Sequence, residues 1–411
     1  MPQIMKHLIR ISYDNDRERG GGELSSKGMQ GEQNTQYSNL KPSLKFCVPC
    51  LFGIEGLCAD ELKRLGMSDV RAENGRVLFS GSENEIARAN VNLRTGERVL
   101  LVAGNCNSNT FDELFEGVRA MPWEEYISDN GAFPVKGHSI NSKLHSIPDC
   151  QRIVKKAVVE RLRSRHKAEW IKETGAKYQI AFAIMNDTAS LYIDTSGAGL
   201  HKRGYRLAGW ESAPLRETLA AAMVKLSRYR GKESVCDPFC GSGTIPIEAA
   251  LAAKNRAPGL SRCFTAQDWT WLGKTIWSDA IEEAKSLEYT GDYDIWGGDI
   301  APKAIELAAA NAQRAGVSDC IRFDIAEAAD FKRDIAGGMI IANPPYGERI
   351  MLPGEAEDIY RRFGKAIKQL DSWKMYILSS HSEFERIFGK TAVKKRKLYN
   401  GMIKCDLHMY Y

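Results

Sequence analysis

The feature that most constrains the fold of this chain is a regular alternation of predicted helices and strands from Pro214 onward. Helical stretches with apolar periodicity alternate with short apolar runs of the kind that buried parallel strands require. In chain order the segments are LRETLAAAMVKLSRY, SVCDPF, PIEAALAAK, YDIWGGDI, PKAIELAAANAQRAG, CIRFDIAEA, GGMIIANPP, DIYRRFGKAIKQL and KMYILSS. This series predicts a doubly wound, mostly parallel α/β sheet that binds its ligands at the carboxyl ends of the strands.

Two α+β stretches precede the predicted sheet. In the first, RVLFSG and RVLLVAG read as strands around the helix ENEIARANVNL, which is typical of a small ferredoxin-like unit. The second contains the helix PDCQRIVKKAVVERLRSRH and a strand hairpin at 178–197.

The segment SGAGLHKRGYR marks a domain boundary in the sequence. We therefore expect one front domain at 45–198 and a second domain at 199–411. Residues 1–44 are polar and rich in Gly, Ser and Gln, and we expect them to form a disordered extension.

Basic residues are concentrated in three places, although the net charge is only +5. HKRGYR at 201–206 and KKRK at 394–397 are two of them. The third, at 151–172, contains Arg152, Lys155, Lys156, Arg161, Arg163, Arg165, Lys167 and Lys172 against Glu160 and Glu169. Such concentration favours a polyanionic partner, while a solvated helix face is the alternative for any single cluster.

Apolar runs and cysteines indicate where the protein works. No apolar run approaches the roughly 20 residues of a membrane span. Ten cysteines in 411 residues, without a signal-peptide pattern near Met1, are typical of reduced thiols. We expect a cytoplasmic protein without a membrane partner and without a metal site.

The stretch CDPFCGSGT is the first chemical signal. Its strand ends at Asp237, and Gly241 and Gly243 allow the backbone to turn tightly against a ligand. A nicotinamide-binding loop would carry a third glycine where this chain has Pro246. Asp299, at the tip of the next predicted strand, can accept hydrogen bonds from both ribose hydroxyls of an adenosine moiety.

A second signal, Asn-Pro-Pro-Tyr at 343–346, follows an apolar strand. An exocyclic base amine is a poor nucleophile because its lone pair is delocalised into the ring. The Asn343 side-chain oxygen and the Pro344 carbonyl can accept its two hydrogens, and Pro345 keeps this corner rigid. Tyr346 offers a face for an extruded base, an interaction worth ~1–3 kcal/mol. The motif therefore predicts a site that activates a nucleobase amine.

DPFCGSGT followed by GGDI and NPPY resembles the class I S-adenosylmethionine-dependent methyltransferases that modify nucleic-acid amines. Residues 45–411 as a whole resemble bacterial RNA methyltransferases with a ferredoxin-like plus THUMP front end. That family includes the ribosomal large-subunit RNA guanine-amine methyltransferases. The supporting stretches are LFGIEGLCADELKRLG, KLHS before the basic helix, HKRGYR before APLRETLAAAM, and YNGMIKCDL.

The resemblance implies S-adenosylmethionine as the cofactor and a structured RNA, ribosomal rather than transfer RNA, as the partner. The implied cofactor contacts are Asp237, Cys240, Gly241, Gly243, Thr244, Asp299, and either Glu327 or Asp330 beside the adenine. The implied catalytic residues are Asn343, Pro344, Pro345 and Tyr346. The expected RNA contacts are Lys155, Lys156, Arg163, His201, Lys202, Arg203 and Arg206.

We therefore expect methyl transfer from S-adenosylmethionine to an exocyclic base amine, at guanine N2 of ribosomal RNA. Three alternatives stay open at this point. They are an adenine-N6 methyltransferase acting on DNA or RNA, a transfer-RNA guanine-N2 methyltransferase, and a non-catalytic RNA-binding assembly factor.

Overall fold

The structure is a computed structural model. It describes residues 43–167, 169–206, 215–346, 353–370 and 372–411. The expected disordered extension at 1–44 falls outside these residues except for its last two, and Leu44 already begins a strand. Every helix in the described residues is too short or too polar to cross a membrane.

The front half contains seven strands and four helices among the described residues. They are β1 Leu44–Pro49, α1 Glu55–Arg64, β2 Ser68–Glu73, β3 Arg76–Gly81, α2 Glu83–Asn92, β4 Leu100–Asn107, α3 Phe111–Ala120, β5 Val135–Ile140, α4 Ile147–His166, β6 Gln179–Met185 and β7 Thr188–Asp194. Neither β2 nor α3 is predicted from the sequence. The α3 helix begins where the Thr110 hydroxyl accepts a hydrogen bond from the Glu113 N–H at 3.1 Å, and it buries Leu114 and Val118.

One seven-stranded sheet spans both front stretches, in the order β2-β3-β1-β4-β7-β6-β5. The join is the antiparallel pairing of β4 with β7, which runs from Leu100 opposite Asp194 to Asn107 opposite Thr188. The two stretches that the sequence presents as separate α+β units therefore form one continuous layer.

The second half supplies the predicted alternation of helices and strands. Its elements are α5 Glu217–Leu226, β8 Val235–Asp237, α6 Thr244–Ala253, α7 Ile276–Ser286, β9 Ile295–Asp299, α8 Pro302–Ala315, β10 Ile321–Ile325, β11 Gly338–Ala342, α9 Pro353–Ala366, β12 Trp373–Ser379, α10 Phe384–Phe388, β13 Lys394–Asn400 and β14 Ile403–Tyr410.

The second sheet has the order β10-β9-β8-β11-β12-β14-β13. Strands β10, β9, β8, β11 and β12 are parallel to one another, and β14 runs antiparallel to both β12 and β13. This confirms the predicted doubly wound, mostly parallel sheet. The strand order reverses between β8 and β11, and a ligand crevice forms at the carboxyl ends of strands on either side of such a switch point.

The hydrophobic core continues across both halves, from Phe46 in β1 to Met409 in β14. Polar contacts cross the same boundary. The Arg94 guanidinium donates to the carbonyl of Arg256 at 2.9 Å, and the Lys225 ammonium lies 2.9 Å from the Glu61 carboxylate. The front half and the second half therefore form one compact unit.

Candidate active site

The predicted site residues lie at the switch point of the second sheet. Asp237 is the last residue of β8, Asp299 is the last residue of β9, and Asn343 directly follows β11. The register places Asp237 beside Gly297 and Cys236 beside Ile340. Because these strands are parallel neighbours, their carboxyl ends meet at one edge, and the three polar side chains are brought to the same crevice.

The loop after β8 is held by the two aspartates. Asp237 is 1% exposed, and its carboxylate accepts a hydrogen bond from the Phe239 N–H at 3.0 Å. The Asp299 carboxylate accepts from the N–H groups of Gly241 at 2.9 Å and Ala301 at 3.0 Å. Burial, together with the nearby Asp299 carboxylate, raises the pKa of Asp237 well above its usual value. A cationic ligand group placed beside Asp237 would be strongly favoured.

The two predicted glycines have different roles in this loop. Both take a positive φ, +50° at Gly241 and +82° at Gly243. A Cβ at Gly243 would lie 3.0 Å from the Ala308 Cβ, so this glycine permits close helix packing. A Cβ at Gly241 would meet no atom within 4 Å, so open space for a ligand lies there.

Cys240 is a packing residue of the same loop. It is 5% exposed, and its N–H donates to the Gly298 carbonyl at 2.9 Å. Burial raises the pKa of the Cys240 thiol well above its usual value, so the sulfur stays protonated and is a poor nucleophile.

Arg206 holds the start of α6, where most of its donors are bound by protein groups. Its guanidinium donates to the hydroxyls of Ser242 at 2.8 Å and Thr244 at 2.6 Å, and to the Glu217 carboxylate at 2.5 Å. Together with the Leu215 carbonyl at 3.3 Å, these partners take four of the five guanidinium N–H donors, so we expect Arg206 to contribute little to phosphate binding. The sequence carries no spacing signal for this arrangement, since Thr244 follows Arg206 by 38 positions.

The Asn343 side chain is already engaged with Tyr346. The Tyr346 hydroxyl donates to the Asn343 side-chain oxygen, and the ring is half-buried against the main core. The Tyr360 hydroxyl donates to the Pro345 carbonyl at 2.6 Å, which fixes the loop from α9. An amide oxygen has two lone pairs, so Asn343 can still accept a second hydrogen bond from a substrate.

The two acids proposed for the adenine lie beyond β10, next to the crevice. The Ala326 N–H donates to the Asp299 carbonyl at 3.1 Å, which ties this segment to β9. Glu327 forms an ion pair with Arg362, whereas Asp330 is exposed. The choice between Glu327 and Asp330 stays a prediction.

Arg203 is not available to RNA either. Its side chain is 2% exposed, and it forms an ion pair at 3.1 Å with Glu248, whose side chain is fully buried. Its guanidinium also donates to the carbonyls of Leu200 at 2.9 Å and Arg94 at 2.5 Å. The prediction that Arg203 grips a phosphate is therefore wrong, because the group lies inside the boundary between the two halves.

Lys155 has a structural role as well. Its ammonium lies 2.6 Å from the Glu173 carboxylate, donates to the Phe133 carbonyl at 3.1 Å, and sits 3.6 Å from the centre of the Phe133 ring. Because these partners offset its charge, we expect Lys155 to contribute less to phosphate binding than the exposed cations of α4.

The other expected RNA contacts differ in exposure. His201 lies 2.9 Å from the Glu97 carboxylate and is half-buried. Lys156, Arg163 and Lys202 are exposed. Arg163 lines an open cleft of about 650 Å³ between α3 and α4. These four assignments stay predictions.

Three family models match this chain. A model described as RMKL-like, methyltransferase domain, matches residues 203–409. A model described as the RlmL ferredoxin-like domain matches 45–100, and a THUMP domain model matches 108–194. Together with the two sheets, these matches confirm the predicted fold and the family resemblance.

Individual proteins agree with the family models. The chain is 44% identical over 362 residues to "Putative RNA methyltransferase YpsC" of Bacillus subtilis (strain 168), covering 87% of this chain and 94% of that protein. It is 31% identical over 375 residues to "Ribosomal RNA large subunit methyltransferase K/L" of Shewanella baltica (strain OS155 / ATCC BAA-1091), covering 89% of this chain and 53% of that protein. The chain thus spans about half the length of the K/L relative.

A solved structure extends the comparison to three dimensions. The structure of SMU.472, described as "a putative methyltransferase complexed with SAH", superposes with a TM-score of 0.86 at 38% identity. The match covers 90% of this chain and 99% of that one.

Proposed function

This chain belongs to the RMKL-like methyltransferase family, and we propose that it transfers a methyl group from S-adenosylmethionine to guanine N2 in ribosomal RNA. The observation that carries the proposal is the convergence of Asp237, Asp299 and Asn343 at one sheet edge, in a chain whose front half matches an RNA methyltransferase front end. The SAH in the SMU.472 structure and the ribosomal RNA in the name of the K/L relative support the cofactor and the substrate.

The residues at the carboxyl ends of β8 and β9 fit this cofactor. The buried Asp237 carboxylate provides the negative charge that a methionine ammonium needs, and the open side of Gly241 leaves room beside it. Asp299 uses its remaining lone pairs to accept from the ribose hydroxyls while it holds the Gly241 N–H. The cofactor supplies the methyl group on a sulfonium, so the leaving group needs no proton from the protein.

The residues after β11 receive the base amine. The Asn343 oxygen and the Pro344 carbonyl accept its two hydrogens, which directs the nitrogen lone pair toward the methyl group. As the N–C bond forms and the S–C bond breaks, the nitrogen becomes cationic, and it then releases one of these protons to water. The Tyr346 hydroxyl donates to the same Asn343 oxygen in the absence of RNA. An incoming amine therefore shares this acceptor or displaces the hydroxyl, and displacement frees the Tyr346 ring to stack on the base.

The same two acceptors would also serve adenine N6, so the amine chemistry alone does not select guanine. The front half favours RNA over duplex DNA, because it matches a THUMP domain model and such a unit suits structured RNA. Sequence-specific RNA recognition targets unpaired bases in such RNA. The ribosomal substrate is supported by the K/L relative, of which this chain spans about half.

Mass spectrometry of nucleosides from a deletion strain tests the proposal. We expect N2-methylguanosine to fall in large-subunit ribosomal RNA and to be restored by the wild-type chain but not by Asn343→Ala. Asn107→Ala, which changes an exposed asparagine in β4, is the matched control and should restore it. Loss of N6-methyladenosine, or loss confined to transfer RNA, would overturn the substrate. An unchanged nucleoside profile would overturn the methyltransferase activity on RNA itself.

A further inference from the structure

An exposed aromatic and basic surface lies beside residues 343–346, which we call the catalytic loop. The proposed chemistry does not use this surface. We call it the rim patch and define it by Phe52, Lys397, Tyr399, Met402 and Lys404. Phe52 is 41% exposed and Met402 is 76% exposed.

The topology places the rim patch at the catalytic edge. Strand β13 is parallel to β12, because both are antiparallel to β14, so its carboxyl end points to the same edge as that of β11. The turn between β13 and β14 lies at that edge. The last residue of β13, Asn400, directly precedes that turn, and its side chain contacts the Tyr346 hydroxyl. Tyr399 precedes Asn400 and pairs with Lys404 across the hairpin.

The front half contributes Phe52 to the same surface. The Phe52 and Tyr399 rings meet edge to face with 6.2 Å between their centres. The Arg396 guanidinium donates to the Gly53 carbonyl at 3.0 Å, and a Cβ on Gly53 would lie only 2.8 Å from the Lys397 carbonyl oxygen. The loop that carries Phe52 is therefore fixed against β13, so the two rings are held in place before any ligand arrives.

The rim patch carries two lysine ammonium groups, with Asp406 opposite Lys397 across the hairpin. Lys397 and Lys404 are exposed, and within the described residues neither ammonium has a hydrogen bond or an ion pair. Fixed aromatic faces flanked by free ammonium groups form the combination that binds single-stranded nucleic acid, since bases stack on the rings and phosphates meet the charges.

We propose that the rim patch binds an unpaired RNA nucleotide that flanks the target base, with its base stacked on Phe52 and its phosphate beside Lys404. This inference rests on the proposed function for the identity of the polymer. It adds a contact that selects substrates by an unpaired neighbour of the modified base. Helical RNA buries its base faces, so a duplex would gain nothing from this surface.

The test measures binding by the full-length chain without requiring methyl transfer. The probes are fluorescein-labelled oligo(A) and an abasic ribose-phosphate oligomer of equal length. We expect Phe52→Ala to weaken oligo(A) binding by about 5- to 150-fold, the equivalent of one lost stack, and to leave binding of the abasic oligomer unchanged. Lys404→Ala should weaken binding of both, because both carry phosphates.

Matched variants separate stacking from a loss of structure. Phe52→Trp should retain oligo(A) binding within about twofold, since a larger ring still stacks. Phe111→Ala removes a phenylalanine of similar exposure, 37%, at the start of α3, and should change neither probe.

The outcomes distinguish the rim patch from the proposed function. If the wild type and Phe52→Ala bind oligo(A) with equal affinity, the proposal that the rim patch binds RNA is overturned. A protein partner would then be the occupant of this surface. Equal weakening of both probes by Phe52→Ala would also overturn it, because the ring would then act through structure. If Phe52 is required for oligo(A) binding but no RNA is methylated, the proposed function fails and the rim patch stands.

Discussion

Replacing Arg203 by Met tests the charged pair buried between the two halves. The guanidinium donates to the two Glu248 oxygens at 3.1 and 3.4 Å, and to the carbonyls of Leu200 and Arg94. Methionine fills much of the space of the aliphatic stem but supplies no donor. The Glu248 carboxylate would then be buried, with Arg94 as its remaining cationic neighbour.

The size of the effect follows from burial. Removing one partner of a buried ion pair costs about 3–5 kcal/mol of unfolding free energy, because the other charge is left uncompensated. Unfolding entropy is about 2.1 cal/mol/K per residue, which gives roughly 0.8 kcal/mol/K for a cooperative unit of about 370 residues. The melting temperature should therefore fall by about 4–6 °C.

The loss of unfolding free energy in Arg203→Met should depend on pH in a defined direction. Burial raises the pKa of Glu248, and the Arg203 guanidinium counteracts this. Without Arg203 the folded-state pKa rises further, so the folded variant holds a proton that the unfolded chain has released. Stability of the variant then falls as the pH rises from the usual glutamate range through that raised pKa. The deficit relative to the wild type should be smaller at about pH 5 than at about pH 8.

Thermal and urea unfolding, followed by circular dichroism, measure both effects. The control is Lys202→Met, which changes the exposed neighbouring cation and should alter stability by no more than about 0.5 kcal/mol. The double variant Arg203→Met with Glu248→Leu should regain much of the loss, because no unpaired charge remains. An unchanged melting temperature, accompanied by weaker RNA binding, would refute the buried pair and restore Arg203 as a phosphate ligand.

Other predictions address the cofactor loop, the catalytic loop and α4. Asn343→Ala should lower kcat by about 10²–10³-fold while S-adenosylmethionine affinity, measured by calorimetry, stays within a few-fold. Because burial raises the pKa of Asp237, cofactor affinity should weaken as the pH falls through that pKa, and Asp237→Asn should abolish this dependence in the same titration. Arg206→Ala should raise the KM for the cofactor without altering the salt dependence of RNA binding, and Arg206→Lys should recover part of the loss. Lys156→Ala should reduce the slope of RNA affinity against salt by about one, whereas Lys155→Ala should lower the melting temperature and leave that slope unchanged.

The second half was predictable because its signals are local. Apolar runs and helical periodicity identified its strands and helices, and a topological rule places ligand groups at the ends of parallel strands. Asp237, Asp299 and Asn343 each end or follow such a strand, so they could be assigned to one crevice before any coordinates were known. The order of the motifs along the chain also predicted that the cofactor contacts precede the base contacts.

The segment HKRGYR shows what local patterns do not reveal. Lys202, Arg203 and Arg206 are equivalent cations in the sequence, but one is exposed, one is buried in an ion pair, and one holds the cofactor loop. Their partners lie far along the chain, at Glu248 and Thr244, and are set by how the two halves pack. The continuous front sheet has the same origin, since β4 and β7 pair across more than eighty residues.

This packing changes how the boundary near residue 199 should be understood. The segment 199–411 reads as a separate domain in the sequence, but Arg203 donates to a carbonyl of the front half, and the Glu97 carboxylate accepts from the Thr218 hydroxyl of α5 at 2.5 Å. Helix α5 in turn supplies Glu217, which holds Arg206 against the cofactor loop. Under the proposed function, an RNA bound by the front half is held by the same compact unit that carries Asp237, Asp299 and Asn343.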